Sequence, residues 1–257
     1  METLPSTAAP PAPRTSREPR RLAAGQGTAF WSEAWRIFQA APLVWILILL
    51  IYVCISIVLV FIPVIGSLAH TVLTPVFAGG TMLGCHALAR GEPLEVGHLF
   101  AGFKNGRFGP LAVLGLILLA MAIVLGVVCV AVALVTVGMS GLGAMMDAGN
   151  ANPYATVAGA GVGMFFLLLI GLVGGTVIWM AIWFAPALVT LDGMEPLAAM
   201  KASFNGSMAN IVPFLIYGLI YIGLAIVASI PFALGWLVLA PMVVGSCYAS
   251  WRQIFSA

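Results

Sequence analysis

The sequence predicts an all-α integral membrane protein with six transmembrane helices, on three observations. Charged residues make up 7% of the 257-residue chain and apolar ones 62%, whereas soluble domains carry about 25% charge. Six apolar runs approach or exceed the roughly twenty residues that a bilayer core demands of a helix. Membrane β-strands alternate over about ten residues and leave no such runs. Finally, all ten Lys and Arg residues fall in the tail and in alternate connections between the runs, which gives the chain a direction.

Residues 1–26 are rich in Pro, Ala, Arg and Ser without apolar periodicity, and predict a disordered cytoplasmic tail. The remainder, 27–257, forms one transmembrane domain. From Thr28 to Ala41, Trp31, Trp35 and Phe38 recur at helical spacing, with Ser32, Glu33 and Arg36 elsewhere on the helix. That pattern predicts a short amphipathic helix, either lying among lipid headgroups or docked on the end of the bundle. Pro42 opens the first span, about 43–62, as proline suits a first turn where its missing N–H is not needed. The second span, about 67–89, carries Thr74-Pro75 near its middle.

Residues 90–109 hold a second amphipathic segment, with Val96, Leu99, Phe100 and Phe103 on one face and Glu95, His98 and Gly102 on the other. The third span follows at about 110–137, then a polar connection, 139–156, and a long fourth span, about 160–191, with Pro186 toward its end. A third amphipathic segment, Asp192 to Asn210, shows Leu197, Met200, Phe204 and Met208 as its apolar stripe. The fifth and sixth spans, about 211–230 and 232–250, meet at Ile230-Pro231, and the sixth carries Pro241.

The basic residues, Arg36, Arg90, Lys104, Arg107, Lys201 and Arg252 among them, all share the side of the N-terminus. The positive-inside rule then places both termini in the cytoplasm, with the bacterial inner membrane as the expected location. Each hairpin of two spans follows an amphipathic segment and a proline, which predicts three parallel hairpin repeats. Glu92-Pro93-Leu94, Pro110 and Gly115-Leu116-Ile117 return at a constant offset as Glu195-Pro196-Leu197, Pro213 and Gly218-Leu219-Ile220.

Pro75 and Pro241 lie inside their spans and must kink them by removing a hydrogen bond one turn upstream. Such breaks expose backbone to substrate in transporters, or serve as static kinks; the absence of a neighbouring charge favours the static kink. Pro75, Pro186, Pro241, Thr74 and Thr81 are nonetheless the candidates for a kink-lined cavity. Trp31, Trp35, Arg36, Arg90, Lys104, Arg107 and Lys201 are the candidates for contact with anionic headgroups at the inner face. Trp45, Tyr217, Tyr248 and Trp251 fit an interfacial aromatic belt. Small-residue pairs at Gly80/Gly84, Gly159/Gly163 and Gly171/Gly175 suit close helix packing, or the seam of a homo-oligomer.

The net charge of +2 provides no electrostatic footprint for nucleic acid. The four cysteines stand singly in apolar runs and read as core residues. No nucleophile–base pair, phosphate loop or metal-ligand spacing occurs, so no catalytic, cofactor-binding or metal residue is expected.

The Pro42 start, Ile62-Pro63-x-x-Gly66, Thr74-Pro75-x-x-Ala78-Gly79-Gly80 and Gly91-Glu92-Pro93-Leu94 resemble an uncharacterised family of six-span bacterial inner-membrane proteins. More loosely, Ala202-Ser203-Phe204 before Pro213 is similar to the membrane domain fused to some glycerophosphodiester phosphodiesterases. These resemblances imply location, fold and contact with lipid, and carry no functional residue. The expectation is a non-enzymatic, structural or lipid-interacting membrane protein; the alternative is a transporter or channel for a small or lipidic solute.

Overall fold

The computed structural model describes residues 18–146 and 153–256. Residues 1–17 of the tail expected at 1–26, and the polar Asp147, Asn150 and Asn152, lie outside the described residues. Those described are helical throughout the domain: α1 (Gln26–Ala40), α2 (Pro42–Val60), α3 (Ile65–Ala89), a 3₁₀ segment (Val96–Phe103), α4 (Phe108–Met146), α5 (Pro153–Ile182), α6 (Ala185–Leu191), α7 (Pro196–Ala209), α8 (Ile211–Ser229) and α9 (Trp236–Phe255). Pro42, Pro110 and Pro213 each sit in the first turn of a long helix, where a missing N–H leaves nothing unpaired.

Among the described residues, five segments are long and apolar enough to cross a membrane: Pro42–Val60, Ile65–Ala89, Phe108–Gly138, Gly161–Leu191 and Ile211–Ser229. The expected sixth span, 232–250, is not among them. Its first residues form a turn, and α9 starts at Trp236 with an apolar half followed by Ser246, Ser250, Arg252 and Gln253. The connection expected at 139–156 is shorter too, because its Gly, Ala and Met residues continue α4 to Met146 and α5 begins at Pro153.

α3 is the centre of the bundle, touching α2, the 3₁₀ segment, α4, α6 and α9. Glycines make this possible. A Cβ at Gly80 would lie 2.6 Å from the Leu99 carbonyl oxygen, one at Gly102 2.1 Å from that of Val76, and one at Gly115 2.3 Å from that of Val72. Side chains there would push the backbones apart, so the glycines fix the depth at which neighbours seat.

α3, α6 and α9 end at one pole. His86 Nδ1 and the Tyr248 hydroxyl are 3.1 Å apart, joining α3 to α9. The Trp251 indole donates to Asp192 Oδ2 at 3.0 Å, joining α9 to the end of α6. α1, the 3₁₀ segment and α7 form a collar around that pole. α1 docks on α8 and α9, with Phe30 and Ala34 fully buried and Trp31 stacked on Tyr217 at 4.8 Å. The preceding residues are tied down as well: Asn210 accepts from the Leu22 N–H at 2.8 Å and donates to the Arg20 carbonyl at 2.9 Å.

Two expected faces come out differently. The 3₁₀ turn of three residues puts Gly102 beside Leu99 on the buried side, leaving Phe100 and Phe103 half exposed. In α7 the buried side is Ala199, Met200, Ser203, Gly206 and Ser207, and Leu197 and Met208 of the apolar stripe face outward. Close packing selects small residues there, so hydrophobicity marks the wrong side. The aromatic belt also fails in part, since Trp45, Tyr217, Tyr248 and Trp251 are all buried.

The turns opposite the collar are apolar and exposed, Phe61 to 81% and Phe232 to 98%. From Ile230 to Trp236 every backbone N–H is donated to a nearby carbonyl, and Pro231 has none to donate. Phe232 and Ala233 adopt left-handed conformations (φ 50° and 63°) to close that turn, a strain non-glycine residues rarely accept.

Candidate functional site

The five kink candidates lie on the wall of one cavity. It measures about 350 Å³ and is bounded by α2, α3, the 3₁₀ segment, α5, α6 and α9. Pro75 and Thr74 come from α3 with Thr81 about two turns further, Pro186 from α6, and Pro241 from α9. Sequence reasoning missed the aromatic part of the wall, Trp45, Tyr52, Phe77, Trp179 and Trp183. Trp179 and Trp183 stand four residues apart and just before Pro186, a spacing that placed them on one face toward the break.

Each proline removes a backbone donor that would otherwise satisfy the carbonyl four residues earlier, here Thr71, Ile182 and Leu237. At Pro186 the helix parts altogether, α5 stopping at Ile182 and α6 starting at Ala185. Three side chains attend to that break. The Ser203 hydroxyl of α7 donates to the Met180 carbonyl at 2.7 Å and accepts from the Phe184 N–H at 3.0 Å. Ser207 also donates to Met180, at 3.4 Å, and the Cys247 thiol of α9 donates to the Trp183 carbonyl at 3.0 Å. A buried break without such partners would leave polar groups unpaired.

The cavity's few polar side chains are largely committed. Thr74 donates to the His70 carbonyl at 2.7 Å and Thr81 to that of Ala78 at 2.8 Å. The Tyr52 hydroxyl lies 3.3 Å from His70 Nε2, with the Ser56 hydroxyl 3.2 Å from the same nitrogen. The Trp183 indole nitrogen is buried without a hydrogen-bond partner among the described residues. What remains is an apolar wall with room for a guest.

The headgroup candidates separate into two sets. Trp31 is buried in the docking of α1, with its indole donating to the Tyr217 carbonyl at 3.3 Å. Trp35 is exposed to 43%. Arg90 is paired with Glu92 at 2.8 Å, and Arg252 with Glu33. Arg36, Lys104 and Lys201 are exposed and Arg107 half-buried, none making a side-chain ion pair among the described residues. Of the glycine pairs, Gly80 and Gly84 seat the 3₁₀ segment and its approach, Gly163 packs on Thr136, and Gly171 and Gly175 face open space. Among the described residues no group of three His, Cys, Asp or Glu is placed to hold a metal ion.

Comparison with known proteins finds a Burkholderia thailandensis protein named "Probable inner membrane protein", 26% identical over 261 residues, which cover 91% of this chain and 92% of that one. No protein-family model matches, and no solved structure does. The likeness to the phosphodiesterase membrane domain gains nothing from these comparisons, and Ser203, one of the residues that carried it, serves the helix break. With its several apolar helices of spanning length, the chain is a multi-pass transmembrane protein.

Proposed function

We propose that this is a non-enzymatic protein of the bacterial inner membrane that engages lipid, with six spans and with its collar and both termini in the cytoplasm. The carrying observation is the collar's chemistry. Arg36, Lys104, Arg107 and Lys201, without an ion pair among the described residues, accompany the exposed apolar side chains of Trp35, Phe100, Phe103 and Leu197. A surface of that kind favours anionic headgroups electrostatically while its apolar groups enter the interface. The name of the Burkholderia relative supports the location, and the clustering of basic residues supports the orientation. α9 is the sixth span in this reading, its apolar half in the bilayer and its Arg252 end in the collar.

The test is native mass spectrometry from mild detergent after reconstitution with phosphatidylglycerol. The natural chain should retain that lipid. Changing the four basic residues together to Gln should reduce retention, each charge contributing about 1 kcal/mol near the surface. Emergence of the natural chain as a lipid-free monomer would remove the reading's main support.

A second reading, a transporter or channel for a small or lipidic solute, is favoured by one observation: Pro75, Pro186 and Pro241 meet at a single cavity beside a broken helix. Discontinuous helices at such positions are how many transporters build their sites.

A further inference from the structure

A shallow groove on α5, lined by Thr176, Gly175, Leu172 and Gly171, shares one wall residue, Trp179, with the cavity. The spacing from Gly171 to Gly175, Trp179 and Trp183 is four residues at each step, which keeps them on one stripe of the helix. A Cβ at Gly171 or Gly175 would meet nothing within 4 Å, so the groove is open to the membrane side. Its neighbours Leu172 and Val173 are exposed to 69% and 55%, on a segment whose surroundings are hydrocarbon.

We propose that the groove and the cavity together hold one extended hydrocarbon chain of a membrane lipid, with its polar end toward Gly171 and its terminus between Pro75, Pro186 and Pro241. This rests on the cavity being a guest site, and it names the guest. The dimensions decide between a whole molecule and a chain. A volume of about 350 Å³ is at the small end for a ligand site and excludes a complete phospholipid. The α5 axis from Gly171 to its end at Ile182 is about 16 Å long at 1.5 Å per residue. An extended chain advancing about 1.3 Å per carbon, from C–C bonds of about 1.5 Å, covers it with about twelve to thirteen carbons, and the last few carbons of a membrane acyl chain reach the cavity beyond the break. The chemistry favours an apolar guest: the hydroxyl hydrogens of Thr74 and Thr81 are given to backbone carbonyls, and beyond the Trp183 indole, a donor without a partner among the described residues, the wall is almost wholly hydrocarbon. α5 approaches the collar at its C-terminal end, so the lipid belongs to the leaflet away from the collar.

The test is photo-crosslinking in phosphatidylcholine vesicles containing the full chain and a phosphatidylcholine with a diazirine either at the end or in the middle of one acyl chain. The end-labelled probe should mark the cavity residues Thr81, Met82 and Cys247, which bulk lipid does not reach. The mid-chain probe should mark Gly175 to Trp179. Gly175→Leu, a change with open space around it, should abolish the cavity labelling, whereas Gly218→Leu on α8 should leave it unchanged. Labelling of exposed Leu219 in every sample shows that each variant is inserted. If Leu219 is marked and the cavity residues are not, the proposal fails. If only free palmitic acid carrying the diazirine reaches them, the guest is a fatty acid and the lipid assignment fails. Neutral vesicles keep this outcome independent of the phosphatidylglycerol result.

Discussion

The Ser203 hydroxyl takes up two of the backbone groups that the break between α5 and α6 releases, and nothing else nearby replaces it fully. Ser203→Ala leaves the buried Phe184 N–H without its acceptor, at a cost of about 1–3 kcal/mol; a clear fall in melting temperature in detergent is the expected result. Two tryptophans offer a contrast at the same scale. The Trp45 indole donates to the Ile37 carbonyl at 3.1 Å, while the buried Trp183 indole has no partner among the described residues. Trp45→Phe should therefore lower the melting temperature, and Trp183→Phe should lower it less or raise it, since it also removes an unmet donor. Little of this was legible in the sequence. Trp45, Tyr217, Tyr248 and Trp251 suited a membrane interface by type, yet an aromatic side chain with a polar tip is equally at home in a core where a carbonyl waits. Ser207 carried no signal and Ser203 only a part in a loose family likeness, because a hydroxyl on a helix facing inward looks the same in sequence as one facing water.

Helices repay the same scrutiny. The offset matches between the second and third hairpins pair residues in unlike settings: Leu94 is buried and Leu197 is 56% exposed, and Gly115 is pressed on Val72 while Gly218 has nothing within 4 Å. Gly115→Ala should accordingly destabilise the fold by forcing α3 and α4 apart. Gly218→Ala should be neutral or stabilising by about 0.5–1 kcal/mol, the ordinary helix preference for Ala. Parallel thermal melts of the two variants check this, and similar losses at both sites would restore the case for equivalent repeats. At this scale sequence reading succeeded where a residue's constraint is its own, as with Pro42, Pro110 and Pro213 in first turns. It failed where the constraint comes from a neighbour. The buried face of α7 is mostly Ala, Gly and Ser, with Met200 among them, because neighbouring helices lie close against it, and Leu197 and Met208 of the apolar stripe point outward instead.

For the whole molecule, the membrane character and the helical class were legible from charge depletion and run length alone. The prolines at the cavity were legible as candidates, since each lies where a helix must break, but their convergence depends on how α3, α6 and α9 pack. Span number is a harder quantity, because α9 mixes an apolar half with a polar end and falls below the composition of a typical span. Thiol labelling decides it together with orientation. In a cysteine-free background, a cysteine introduced at Asn150 should react from outside intact cells, and one at Ser256 only after lysis. Reaction of both from outside would mean an odd number of crossings.

The self-contained turn from Ile230 to Trp236 has a bearing on biogenesis. A loop with no free backbone donor and no charged side chain loses little hydration on entering hydrocarbon, where an unsatisfied polar group costs several kcal/mol. In the six-span arrangement proposed above, the Ile230–Trp236 tip crosses outward with its hairpin as a preformed cap, and the chain's demand on the translocation machinery falls on the middle connection, where Asp147, Asn150 and Asn152 are carried across.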